Sequence, residues 1–123
     1  MLKQLLRIKK QRQKGLKDKV QSLKNAKLEL SEIINAIRLQ RDDNIQEWKE
    51  FSEINREVSH SDLLLLQEKL SSCYDNEQRF KMEMFKKTNE LSNYDESIHL
   101  AKQAVQRNLV EQEKLCYLIN EVH

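Results

Sequence analysis

Proline is absent from this 123-residue chain and glycine occurs once, at Gly15. Tight turns draw on those two residues, so their scarcity excludes most sheet-rich and loop-rich architectures. No long hydrophobic run exists either. The longest stretch, Leu63 to Leu66, falls far short of the roughly 20 residues that cross a bilayer. Cysteine is limited to Cys73 and Cys116. On a single helix these lie about 65 Å apart at ~1.5 Å rise per residue, beyond disulfide reach within one chain. With no secretory signal and no cysteine framework, a reducing compartment is expected. A single glycine cannot build a phosphate-cradling loop. His60, His99 and His123 are scattered, with no Cys or carboxylate at ligand spacing, so no metal, cofactor or catalytic residue is nominated and the chain reads as non-enzymatic.

What the sequence has instead is charge and period. Charged side chains make up 34% and hydrophobic ones 38%, and the apolar residues recur regularly rather than being thinned out as in a disordered chain. Net charge is +2, but the signs are segregated. Residues 1–27 hold ten Lys or Arg and only Asp18 as a counter-charge, whereas residues 28–62 hold nine acids against four bases.

From Ser61 onward a seven-residue repeat is clean. With Leu63 at a, the a positions are Leu63, Leu70, Glu77, Met84, Leu91, Ile98, Val105, Gln112 and Ile119. The d positions are Leu66, Cys73, Phe80, Lys87, Tyr94, Ala101, Asn108, Leu115 and Val122. Fourteen of these eighteen are apolar, which argues a coiled-coil strand. The first half shows a looser repeat through Leu2, Leu5, Leu16, Leu23, Ala26, Leu30, Ile33 and Ile37, interrupted by Lys9, Arg12 and Lys19. Ile45 and Trp48 then fall one step late, which predicts a stutter after Ile37. Trp48 and Phe51 are read as filling a seam widened there, with a recognition patch as the other reading.

The periodicity lapses only at Val58-Ser59-His60-Ser61-Asp62, where Ser59 or Ser61 suits an N-cap and Asp62 suits the positive end of a helix. The expected architecture is all-α, a single coiled-coil domain over 1–123. Helix 1 spans about 2–57, a loop about 58–61, and helix 2 about 62–121, folded as an antiparallel hairpin; a parallel dimer of longer helices is the other arrangement. In the hairpin, residue i faces roughly residue 121 − i. Lys9 and Arg12 then meet Gln112 and Asn108, Arg41 and Asn44 meet Glu77, and Leu2 and Leu5 meet Ile119 and Leu115. Lys87 finds no partner and is expected to snorkel outward. Cys73, at a d position, reads as a buried structural thiol.

Two surface features stand out. The basic arm, with Lys3, Arg7, Lys9, Lys10, Arg12, Lys14, Lys17 and Lys19, produces a field suited to an acidic partner or an anionic membrane. Nucleic acid is disfavoured because no groove-reading element is apparent. Leu64 and Leu65 cannot both enter a two-stranded seam, so they form either a docking surface or a local cluster with Val58 or Ile54.

In these features the chain resembles the cytosolic stalk proteins of type III secretion and flagellar export, the FliJ/YscO family. The residues concerned are Leu2-x-x-Leu5-Leu6-Arg7-Ile8-Lys9-x-x-Arg12, the Trp48 segment, and Asp62-Leu63-Leu64-Leu65-Leu66-Gln67-x-Lys69-Leu70 after the break. The resemblance implies a non-catalytic hairpin that enters the pore of a hexameric export ATPase, promotes its assembly or turnover, and links it to the export gate. Some family members also bind export chaperones. It implies a bacterial cytoplasmic location at the base of the secretion apparatus, peripheral to the membrane only through partners. By the same analogy Arg7, Lys10 and Lys14 contact acidic pore residues, and Leu64, Leu65 and Gln67 face the gate. The alternative function is a coiled-coil tether or adaptor whose basic N-terminal helix lies on a membrane surface.

Overall fold

A computed structural model describes residues 1–53 and 59–122. Helix α1 spans Leu2–Glu53 and α2 spans His60–Val122. The two pack against each other as a helical hairpin, the all-α architecture expected from the sequence. Neither helix contains a proline, and their interiors are rich in Leu, Lys, Glu and Gln, all good helix formers. The start of α2 is set by Ser59, whose Oγ accepts from the Asp62 backbone N–H at 3.2 Å while its carbonyl accepts from Leu63 N–H at 2.9 Å. This is an N-cap, and Asp62 in the first turn adds a favourable charge. Helix α2 therefore begins two residues before the expected boundary. The expected extension of helix 1 to residue 57, and Val58 and Ile54 as cluster partners, lie outside the described residues.

The repeat expected for α2 is the observed one. Every a and d position from Leu66 to Ile119 is buried or half-buried, and Cys73, Phe80, Ile98, Ala101 and Leu115 are among the most enclosed apolar residues. Leu63 is the exception, 41% exposed.

The α1 register needs correction. One inward line is as expected through Leu2, Lys9, Leu16, Leu23, Leu30 and Ile37, but it continues without interruption to Asn44 and Phe51. Its companion is Leu6, Gln13, Val20, Lys27, Ile34, Arg41 and Trp48, all buried or half-buried. The expected companion line sits on the flank instead, with Ala26 its half-buried member. Leu5 is 42% and Ile33 46% exposed, and Arg12 and Lys19 are exposed. No stutter follows Ile37. The apparent phase shift arose because Arg41 and Asn44 occupy seam positions with polar side chains.

The chain divides into two compact units. The terminal unit comprises Met1–Glu29 and Leu91–His123, and the connecting unit comprises Leu30–Glu90. In the terminal unit, Gln13 meets Asn108, Lys9 meets Glu111 and Lys27 meets Asp95. In the connecting unit, Arg41 meets Glu77, Asn44 meets Cys73 and Trp48 meets Tyr74. Within each unit the pairing follows the antiparallel relation between residue i and a position near 121 − i.

Candidate functional site

Position in the seam decides which cations of the terminal unit are neutralised. Lys9 and Lys27 lie on inward lines, where an unpaired charge is costly, and both find acids. Lys9 donates to Glu111, and Lys27 Nζ lies 2.5 Å from Asp95 Oδ1. The outward cations behave differently. Lys3, Lys10, Lys17 and Lys24 recur every seven residues, with Arg7 and Lys14 between them, so they share one face of α1. All six are exposed, and among the described residues none is in an ion pair. Lys3, Leu6, Arg7, Lys10, Gln11 and Lys14 line a shallow open groove. A row of lysines and an arginine with no internal counter-charge attracts carboxylates through a long-range field.

Beneath that face runs a polar layer. Asn108, only 4% exposed, donates through Nδ2 to Gln13 Oε1 at 2.7 Å and to the Lys9 carbonyl at 2.9 Å. Gln13 is 7% exposed. Gln13 Nε2, Asn108 Oδ1 and Gln112 Nε2 are buried without a hydrogen-bond partner. The hydrogen bond from Lys9, reinforced by its charge, holds the Glu111 carboxyl below the usual range. The expected meeting of Lys9 with this polar cluster is present, but its companion is Gln13, not Arg12.

A second polar group lies in the connecting unit. Arg41 Nε donates to Glu77 Oε1 at 2.8 Å, with Nη2 at 2.7 Å from the same oxygen, and this bond raises the Arg41 pKa. Asn44, expected to meet Glu77, donates instead to the Cys73 carbonyl at 2.8 Å. Glu77 Oε2 stays buried and unpartnered. Trp48 and Phe51 are half-buried on the inward lines. Trp48 lies against Tyr74 at 6.1 Å between ring centroids, and the Lys69 ammonium lies 5.2 Å from the Phe51 ring. The core-filling reading of this aromatic pair stands, without a widened seam to explain it. Lys87 is half-buried, its ammonium 3.7 Å from Glu90 on the same helix, which is the snorkelling geometry.

The sequence-nominated residues fall into separate units. Arg7, Lys10 and Lys14 are on the outward face of α1 in the terminal unit, while Leu64, Leu65 and Gln67 are in the connecting unit. Leu64 and Leu65 are 49% and 51% exposed, and Gln67 is exposed beside them. Gln13 and Lys27 were missed. Both are polar at inward positions, and the only available signal was their seven-residue spacing from Leu6, Val20 and Ile34.

Cys73 is 3% exposed, and burial followed by the nearby Glu47 charge raises its pKa, so the thiol stays protonated at neutral pH. Cys116 is exposed and both cysteines are free. Among the described residues no three His, Cys, Asp or Glu side chains gather to hold a metal, and no helix is long and apolar enough to cross a membrane. No family model matches the chain, nor does any curated protein or solved structure, so the likeness to export stalk proteins rests on the quoted residues alone.

Proposed function

We propose that the chain is the non-catalytic central stalk of a type III export system, binding the pore of the hexameric export ATPase and linking it to the export gate. The observation that carries this reading is the outward row of Arg7, Lys10 and Lys14 with its neighbouring lysines. These cations are unpaired among the described residues, on a hairpin whose seam is already filled. The Arg7, Lys10 and Lys14 face is charged, and charged contacts favour fast, exchangeable engagement over permanent docking. Leu64, Leu65 and Gln67 supply a separate exposed patch for the gate. The test is ATP turnover by a type III export ATPase from the same source, with and without the chain at one copy per hexamer. Stimulation is expected, and Arg7→Glu, Lys10→Glu and Lys14→Glu together abolish it while helicity by circular dichroism is retained. Undiminished stimulation by that variant removes these residues from the role.

One observation favours a second reading, an adaptor whose first helix lies on anionic lipid. Leu5 and Ile8 are 42% and 48% exposed among Arg7, Lys10 and Arg12, the pattern of an interfacial helix. Co-sedimentation with vesicles containing phosphatidylserine, but not with neutral vesicles, would select it.

A further inference from the structure

The cationic row has a counterpart of opposite sign elsewhere on the same chain. In the connecting unit, Asp43, Glu47 and Glu50 are exposed on α1, spaced by four and then three residues so that they share one face. Among the described residues none of the three is in an ion pair. Lys49, the base next to Glu50 in sequence, is offset from it by about 100° around the helix. In the terminal unit, Arg7, Lys10 and Lys14 are spaced by three and then four residues and are likewise exposed and unpaired.

The two spacings are mirror images. Read in opposite directions along two helices, Arg7 falls opposite Glu50, Lys10 opposite Glu47 and Lys14 opposite Asp43, with no residual offset. We propose that the chain associates with a second copy of itself, the Arg7–Lys10–Lys14 face of one copy lying antiparallel against the Asp43–Glu47–Glu50 face of the other. A second copy is favoured over an unrelated partner because each molecule carries both faces, with matched number, opposite sign and complementary spacing. The inference does not rest on the stalk reading. It occupies the same cationic face, so self-association and engagement of an acidic partner are mutually exclusive there.

Solvent-exposed ion pairs are individually weak and are screened over about 8 Å at physiological salt. The association is therefore concentration-dependent and strongest at low ionic strength. Sedimentation equilibrium of the full chain tests it. At low salt the apparent mass rises above the 14.8 kDa of one copy, and at high salt it returns to that value. The variant Arg7→Glu/Lys10→Glu/Lys14→Glu and the variant Asp43→Lys/Glu47→Lys/Glu50→Lys each weaken self-association at least tenfold. Mixed in equal amounts they associate again, because the first retains the acidic face and the second the basic one. Wild-type chain that stays at the mass of one copy at low salt overturns the proposal, as does a mixture no heavier than its components. The single swaps Lys10→Glu and Glu47→Lys, both at exposed positions, repeat the comparison should a triple variant lose helicity.

Discussion

Replacing both Gln13 and Asn108 with leucine should stabilise the hairpin, although two inter-helix hydrogen bonds disappear. Those bonds contribute about 1 kcal/mol each. Against them, Gln13 Nε2 and Asn108 Oδ1 are buried without partners, and removing an orphaned buried polar atom recovers about 1–3 kcal/mol. Two leucines at inward positions add apolar burial of about 1.5–3 kcal/mol each, reduced by the aliphatic stem that glutamine already buries. The balance is a gain of about 2–5 kcal/mol. At the size of this chain that raises Tm by roughly 10–20 °C. Asn108→Leu alone strips Gln13 of its only side-chain partner, so the new orphan offsets the new burial and the single variant is close to neutral. The diagnostic quantity is therefore the coupling in a double-mutant cycle, about 1–3 kcal/mol, measured by urea denaturation followed by circular dichroism. Additivity within about 0.5 kcal/mol, or a double variant less stable than wild type, would refute the reasoning. A second consequence concerns register. Sliding one helix by seven residues sets Asn108 opposite Val20 or Leu6 and parts it from Gln13, so the amide–amide bond is lost, a penalty the double variant no longer imposes. Polar seam residues commonly specify register at a cost in stability.

Three further outcomes are expected. Gly15 sits exposed within α1, and a β-carbon added there would have nothing within 4 Å, so Gly15→Ala should raise stability by about 0.5–1 kcal/mol through helix propensity; thermal melting checks it. Ser59→Ala should cost about 1 kcal/mol by removing the cap on α2, with Ser59→Gly costing only a few tenths; a comparison of the two melts separates capping from simple truncation. Because the folded Glu111 carboxyl titrates below its ordinary value, its contribution is fully present above the unfolded carboxylate pKa and is lost as pH falls through the folded one. Denaturation midpoints should fall on acidification in wild type and fall less steeply in Glu111→Gln.

The sequence made α2 legible because apolar side chains occupy nearly every seam position, so counting alone finds the repeat. In α1 the seam holds Lys9, Gln13, Lys27, Arg41 and Asn44, and an apolar count then favoured Leu5, Ala26 and Ile33 over the true line through Leu6, Val20 and Ile34. The same bias produced the stutter, since polar Arg41 and Asn44 hid a continuous repeat. The pairing relation survived the error because it rests on chain geometry and the position of the break. The candidate cationic face was legible only as exposed charge: Arg7, Lys10 and Lys14 are outward. Which lysines the acids neutralise was hidden, because it depends on the seam line that was misplaced.

Two of the inter-helix hydrogen bonds end on a backbone carbonyl, Asn108 on Lys9 and Asn44 on Cys73. A carbonyl is present whatever side chain the residue carries, so the accepting positions are free to drift while the bond persists. Such a contact leaves no covarying pair. In distant relatives its only trace would be a solitary asparagine at one inward position of each helix, surrounded by substitutions that pairwise comparison reads as noise.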